Sequence, residues 1–133
     1  MLRVVLDTNV IVSAVISDGK PRELLRRGIE NQFIIVASDL ILKELFTVLC
    51  RPKFKTREDE INRIVLALIQ SSEVVSVKSE FKVVKQDPKD DIIIRTAYDG
   101  EADLIVSGDK RLLELGSFRG IKIISVEKMI KLL

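Results

Sequence analysis

Leu2-Arg3-Val4-Val5-Leu6-Asp7-Thr8-Asn9 and Asp103-Leu104-Ile105-Val106-Ser107-Gly108-Asp109 decide the fold. Each is a short, β-branched, nearly uncharged run that ends on an aspartate, which is the composition of a strand buried on both faces. In a parallel α/β sheet the carboxyl ends of strands border a ligand crevice, because the loops to the following helices diverge there. Asp7 and Asp109 are therefore expected to face one crevice.

On either side of these two runs, apolar strands alternate with helical stretches, which predicts a parallel sheet with helices on both faces. Leu2 to Leu6, Phe33 to Val36, Val74 to Val77, Leu104 to Val106 and Ile121 to Ile124 read as strands. The intervening helices are expected over Asn9 to Ile16, Arg22 to Ile29, Ser38 or Asp39 towards Cys50, and Arg57 to about Ser71. Three more are expected, one around Asp91 to Tyr98, one over Asp109 to Leu115 and one over Val126 to Leu133. Thr56 is a plausible cap for the long fourth helix, in which Ile61, Ile64, Val65, Leu68 and Ile69 recur at helical spacing. The expectation is one α/β domain spanning residues 1–133, with about five strands.

Composition narrows the chemistry. The chain contains no histidine, which removes the usual general base, the Ser-His-Asp and Cys-His machineries and any imidazole metal site. Cys50 is the sole cysteine, so no intrachain disulfide forms and a cytoplasmic setting is expected. No apolar stretch reaches membrane-spanning length. The net charge is only +2, from 22 basic and 20 acidic residues. If several acids are pooled in one crevice, the remaining surface is distinctly basic and suits a polyanion.

Four acids stand out: Asp7, Glu44, Asp91 and Asp109. Asp7 heads Asp7-Thr8-Asn9, a carboxylate, hydroxyl and amide suited to an oxygen-loving cation, or equally to a helix cap. Glu44 sits on a helix that is otherwise mostly apolar and offers it little polar face. Asp87-Pro88-Lys89-Asp90-Asp91 surrounds a helix start. Asp87 and Asp90 read there as caps, while Asp91, beside Ile92-Ile93-Ile94 and four residues before Arg95, is placed at the border of the buried face. Asp109 follows Ser107-Gly108, where the glycine suggests a close backbone approach, and capping is again the plainer alternative. Lys20 and Arg22, the cluster around Arg51 and Lys53, and Lys110 are candidate phosphate contacts, although a solvated charged loop explains most such clusters.

Together these segments resemble a PIN-domain ribonuclease, and in particular the prokaryotic toxin components of toxin–antitoxin pairs. The resemblance runs through Val4-Val5-Leu6-Asp7-Thr8-Asn9-Val10, Ser38 to Leu49 with Arg51-Pro52-Lys53, Asp87 to Asp91, and Ala102 to Asp109. It implies a three-layer α/β/α fold, Mg²⁺ or Mn²⁺ on Asp7, Glu44, Asp91 and Asp109, and cleavage of single-stranded RNA. Thr8, Asn9 and Ser107 match its supporting polar positions, with serine where many members carry threonine. A homodimer and an inhibiting antitoxin protein are further implications. Without histidine, the base would be water activated by the cation. Two other readings compete. One is a catalytically idle RNA- or protein-binding module of the same fold. The other is an aspartyl-phosphate phosphatase, which would want a second aspartate where Asn9 stands.

Overall fold

Thr8–Ile16 follows the first strand as a helix, and the strand-then-helix alternation continues along the chain. A computed structural model describes residues 1–55, 57–83 and 88–133; Thr56 and Asp87, both read above as caps, lie outside the described residues. The strands are β1 (Arg3–Leu6), β2 (Ile34–Ser38), β3 (Ser72–Val75), β4 (Leu104–Val106), β5 (Ser117–Phe118) and β6 (Ile121–Ile124). The helices are α1 (Thr8–Ile16), α2 (Lys20–Ile29), α3 (Asp39–Leu49), α4 (Glu58–Ser71), α5 (Pro88–Asp99), α6 (Lys110–Leu115) and α7 (Val126–Leu132), with a 3₁₀ turn at Pro52–Phe54.

The sheet order is β3-β2-β1-β4-β6-β5, parallel throughout except for β5. Side-chain alternation splits the core into two layers. Val4, Leu6, Ile35, Leu104 and Val106 pack with α1, α2, α3, α4 and α7. Val5, Val36, Ile105, Ile121 and Ile123 pack with α5 and α6 on the opposite face. This is the expected three-layer α/β/α architecture.

β1 and β2 differ from the expected spans only at their ends, whereas two other strands differ in kind. β3 continues directly from α4 and pairs Ser72 to Val75 with Ile35 to Ser38, two residues earlier than the apolar run Val74 to Val77 suggests. As an edge strand it is hydrogen-bonded on one side and half exposed, so polar Ser72 and Glu73 are tolerated there. β5 is an additional strand of two residues, antiparallel to β6. Its turn places Arg119 (φ 48°) and Gly120 (φ 85°) consecutively in the left-handed region, the geometry of a tight hairpin turn.

Candidate active site

The register of β1 against β4 sets the centre of the site. Leu6 lies opposite Val106, so the chain segments leaving both strands emerge side by side at the carboxyl edge. Asp7 caps α1 through an Oδ1 that accepts from the Asn9 N–H at 3.3 Å. Asp109 caps α6 through an Oδ1 that accepts from Arg111 N at 2.8 Å and Leu112 N at 3.3 Å. Capping and site membership are therefore not alternatives here, because a carboxylate has a second oxygen for other work.

Ser107 joins the two aspartates. It is fully buried, donates its hydroxyl to Asp7 Oδ2 at 2.6 Å and accepts from Asp109 N at 2.9 Å. The Gly108 expectation fails: a Cβ there would meet nothing within 4 Å, so no close approach requires glycine. It is the hydroxyl of Ser107 that draws the loop together.

Glu44 and α5 reach the same place through a second buried hydroxyl pair. Ser38 caps α3 at Ile41 N (3.2 Å) and lies 2.8 Å from Thr96 Oγ1 on α5. Thr96 donates its only hydroxyl proton to Ile92 O at 2.8 Å, so Ser38 is the donor in the Ser38–Thr96 bond. Both side chains are fully buried, and they lock the start of α3 to α5. Nothing in the sequence reading singled out Thr96.

A cavity of about 260 Å³ lies at this convergence, lined by Asp7, Thr8, Asn9, Glu44, Val48, Arg51, Lys89, Asp90, Ile92, Ile93 and Asp109. Three of the four expected acids line it; Asp91 does not. Asp91 is buried, as expected, but its Oδ1 accepts from Val83 N at 2.8 Å, tying α5 to the segment before it. Arg95 fastens the same segment, donating from Nε to Phe81 O at 2.7 Å. Asp90, read above as a cap, is the acid of this pair that lines the cavity, and it is itself buried. Helical phase carried the signal: Ile93, Ile94 and Ala97 stand three, four and seven residues after Asp90, and all are buried against the sheet.

Of the expected basic contacts, only Arg51 lines the cavity. Lys20 pairs with Glu127 at 3.2 Å. Arg22 donates to the carbonyls of Ala14 and Val15 and to Asp18, which makes it the fastening of the α1 C-terminus. Lys53 sits 5.0 Å above the Phe54 ring, and Lys110 is exposed outside the cavity lining. Lys89, not anticipated, lines the cavity and pairs with Glu44 at 3.1 Å.

Asp7, Glu44, Asp90 and Asp109 give an all-oxygen, negatively charged donor set, which fits a hard divalent cation such as Mg²⁺ or Mn²⁺. Among the described residues no three acidic side chains are already gathered closely enough to hold one ion. Binding an ion here would therefore have to draw the carboxylates inward.

The PIN-domain profile matches residues 3–111, and the chain belongs to the PIN-domain family, whose members are generally nucleases. It is similar to the uncharacterized protein MJ1680 of Methanocaldococcus jannaschii, 33% identical over 118 residues that span 86% of this chain and 75% of that one. Its fold matches that of PAE2754 of Pyrobaculum aerophilum, with a TM-score of 0.64, 16% identity, and coverage of 98% of this chain and 88% of that one. It also matches the structure of VapBC2 of Rickettsia felis bound to a DNA fragment from their promoter. There the TM-score is 0.61 at 15% identity, covering 93% of this chain and 98% of that chain. At such identities the likeness is one of fold. Among the described residues no helix is long and apolar enough to cross a membrane.

Proposed function

We propose that the chain is a Mg²⁺- or Mn²⁺-dependent endoribonuclease that hydrolyses phosphodiester bonds of single-stranded RNA at the cavity between β1, β4, α3 and α5. The observation that carries this reading is the convergence of Asp7, Glu44, Asp90 and Asp109 from four separate elements onto one cavity. Stability alone gives no reason to pool four carboxylates, because like charges in proximity repel. A bound divalent cation would supply an acidified water near neutral pH and positive charge for the phosphoryl oxygens.

The chain's own groups do the rest. Ser107 holds Asp7 Oδ2 through its 2.6 Å hydrogen bond, and Thr8 and Asn9 line the same cavity. The Arg51 guanidinium at the rim is suited to grip a phosphate with two parallel N–H donors. In hydrolysis the water oxygen bonds to phosphorus while the bond to the leaving oxygen breaks. With no histidine, the proton lost by the water passes to carboxylate or solvent, and the leaving oxygen takes one up. Lys20, Arg22, Lys53 and Lys110 have other partners or positions, so Arg51 is the proposed phosphate contact among the five. A role as the toxin of a toxin–antitoxin pair, with an antitoxin protein as partner and a homodimer as the working form, extends this reading from the family.

The test is cleavage of labelled single-stranded RNA with Mn²⁺, Mg²⁺ or chelator by wild type, Asp7→Asn, Asp90→Asn and Asp91→Asn. Metal-dependent cleavage is expected, reduced more than about a hundredfold in the first two variants. Asp91→Asn is expected to lose thermal stability rather than rate. Absence of cleavage on several RNAs, together with no stabilisation by metal, would instead favour the idle binding module.

A further inference from the structure

Lys89 is the second residue of α5, where the helix dipole favours acids and disfavours an ammonium. A lysine at that position needs a nearby negative group. The structure supplies one in Glu44, 3.1 Å away, on a carboxylate only 25% exposed. Asp7, Asp90 and Asp109 line the same cavity as that ammonium. Carboxylates that line one cavity repel one another, and a tethered ammonium paired with one of them lowers that repulsion; of the two cations lining the cavity, Arg51 and Lys89, it is Lys89 that pairs with Glu44.

We propose that Lys89 is the built-in counter-cation of the acidic cavity and that a divalent ion must displace it from Glu44 to bind. Lys89 is then a positioning residue acting through Glu44. It holds that carboxylate in place while the cavity lacks an ion, and it sets the ion concentration at which the cavity fills. A divalent ion outcompetes it because its charge is double. The displaced ammonium, 60% exposed and on a flexible stem, then turns outward to the rim. The inference rests on the metal-dependent reading above.

The experiment is a Mn²⁺ titration read by thermal shift and by calorimetry, without RNA, on wild type, Lys89→Met, Lys89→Arg and Glu44→Gln with and without Lys89→Met. Removing the competing charge is expected to lower the Mn²⁺ midpoint about fivefold, the upper range for a partly exposed ion pair. Lys89→Arg, which keeps the charge, should stay near the wild-type midpoint. In the Glu44→Gln background, Lys89→Met should shift the midpoint far less, because the pair is already broken. A Lys89→Met midpoint equal to or above that of folded wild type would overturn the inference and leave the metal reading intact. No Mn²⁺ response in any of the proteins would overturn both.

Discussion

At the scale of single residues, Ser107 does the most with the fewest atoms. Its one proton goes to Asp7 Oδ2, and its oxygen accepts from Asp109 N. Ser107→Ala would leave two groups in buried surroundings without this partner, at a cost of about 1–3 kcal/mol. It would also remove the restraint on Asp7 Oδ2, leaving Oδ1 with Asn9 N, so RNA cleavage is expected to fall at least about tenfold beyond the stability loss. Ser107→Thr keeps the hydroxyl and should cleave within a few-fold of wild type. Equal melting temperatures and rates for alanine and serine at this position would show that the bridge has no such role. Asp7, Glu44 and Asp109 are legible in the sequence because strand ends and a lone acid on an apolar helix are local patterns, whereas Ser107 is legible only through the family resemblance. Asp91 is favoured over Asp90 in the sequence because two adjacent acids differ only by helical phase, and Arg95 four residues on suggests a buried border there. In the structure Arg95 marks the flank that carries Phe81 to Val83.

At the scale of elements, Asp99 at the end of α5 organises a stretch with no regular structure. Burial alone would raise its carboxyl. The N–H groups of Ser79 and Lys78, the Ser79 hydroxyl and the charge of Arg95 together hold it below the usual carboxylate value. Its folded pKa therefore lies below the unfolded value of about 3.9, so its contribution is complete above about pH 4 and is lost as pH falls through the folded pKa. Asp99→Asn is expected to cost about 1 kcal/mol at pH 7, and urea melts should show the gap from wild type closing below about pH 4.

Gly28 shows two element-level forces in opposition. In a helix, alanine is better than glycine by about 1 kcal/mol. Here, however, a Cβ would come within 2.7–2.8 Å of Ile35 and Phe33 side-chain carbons, both residues buried in β2 or just before it. Overpacking costs about 1–3 kcal/mol, so Gly28→Ala should destabilise on balance. Ile35→Val, which removes the nearest carbon, should cost less in the Gly28→Ala background than in wild type. Additive losses would mean that α2 simply moves away from the sheet. The elements themselves were largely legible, since buried strands and amphipathic helices announce their period. β3 was displaced because an edge strand needs only one hydrogen-bonded side, and β5 was missed because two residues carry no period.

At the scale of the whole molecule, charge separation is the feature that matters for a polyanionic substrate. A net charge of +2 that already includes the four cavity carboxylates and the cavity's own Arg51 and Lys89 leaves +4 for the rest of the chain. For the RNA substrate proposed above, the acidic cavity would repel phosphate until neutralised while the basic remainder would attract it, so binding and chemistry would draw on opposite fields. Single-stranded RNA binding should accordingly weaken with salt, the logarithm of affinity falling by about 0.7 per phosphate contact for each decade of salt. Asp90→Asn provides a form in which binding can be followed without cleavage. In that background Arg51→Gln removes the one expected phosphate contact that lines the cavity, and the salt slope should become shallower by about 0.7. Lys53→Gln, whose ammonium is already over Phe54, should leave the slope nearly unchanged. Fluorescence anisotropy with a labelled oligonucleotide across a salt series measures both. A slope insensitive to Arg51 but sensitive to Lys53 or Lys110 would move the RNA path out of the cavity rim and onto the outer face of α6 or the 3₁₀ turn.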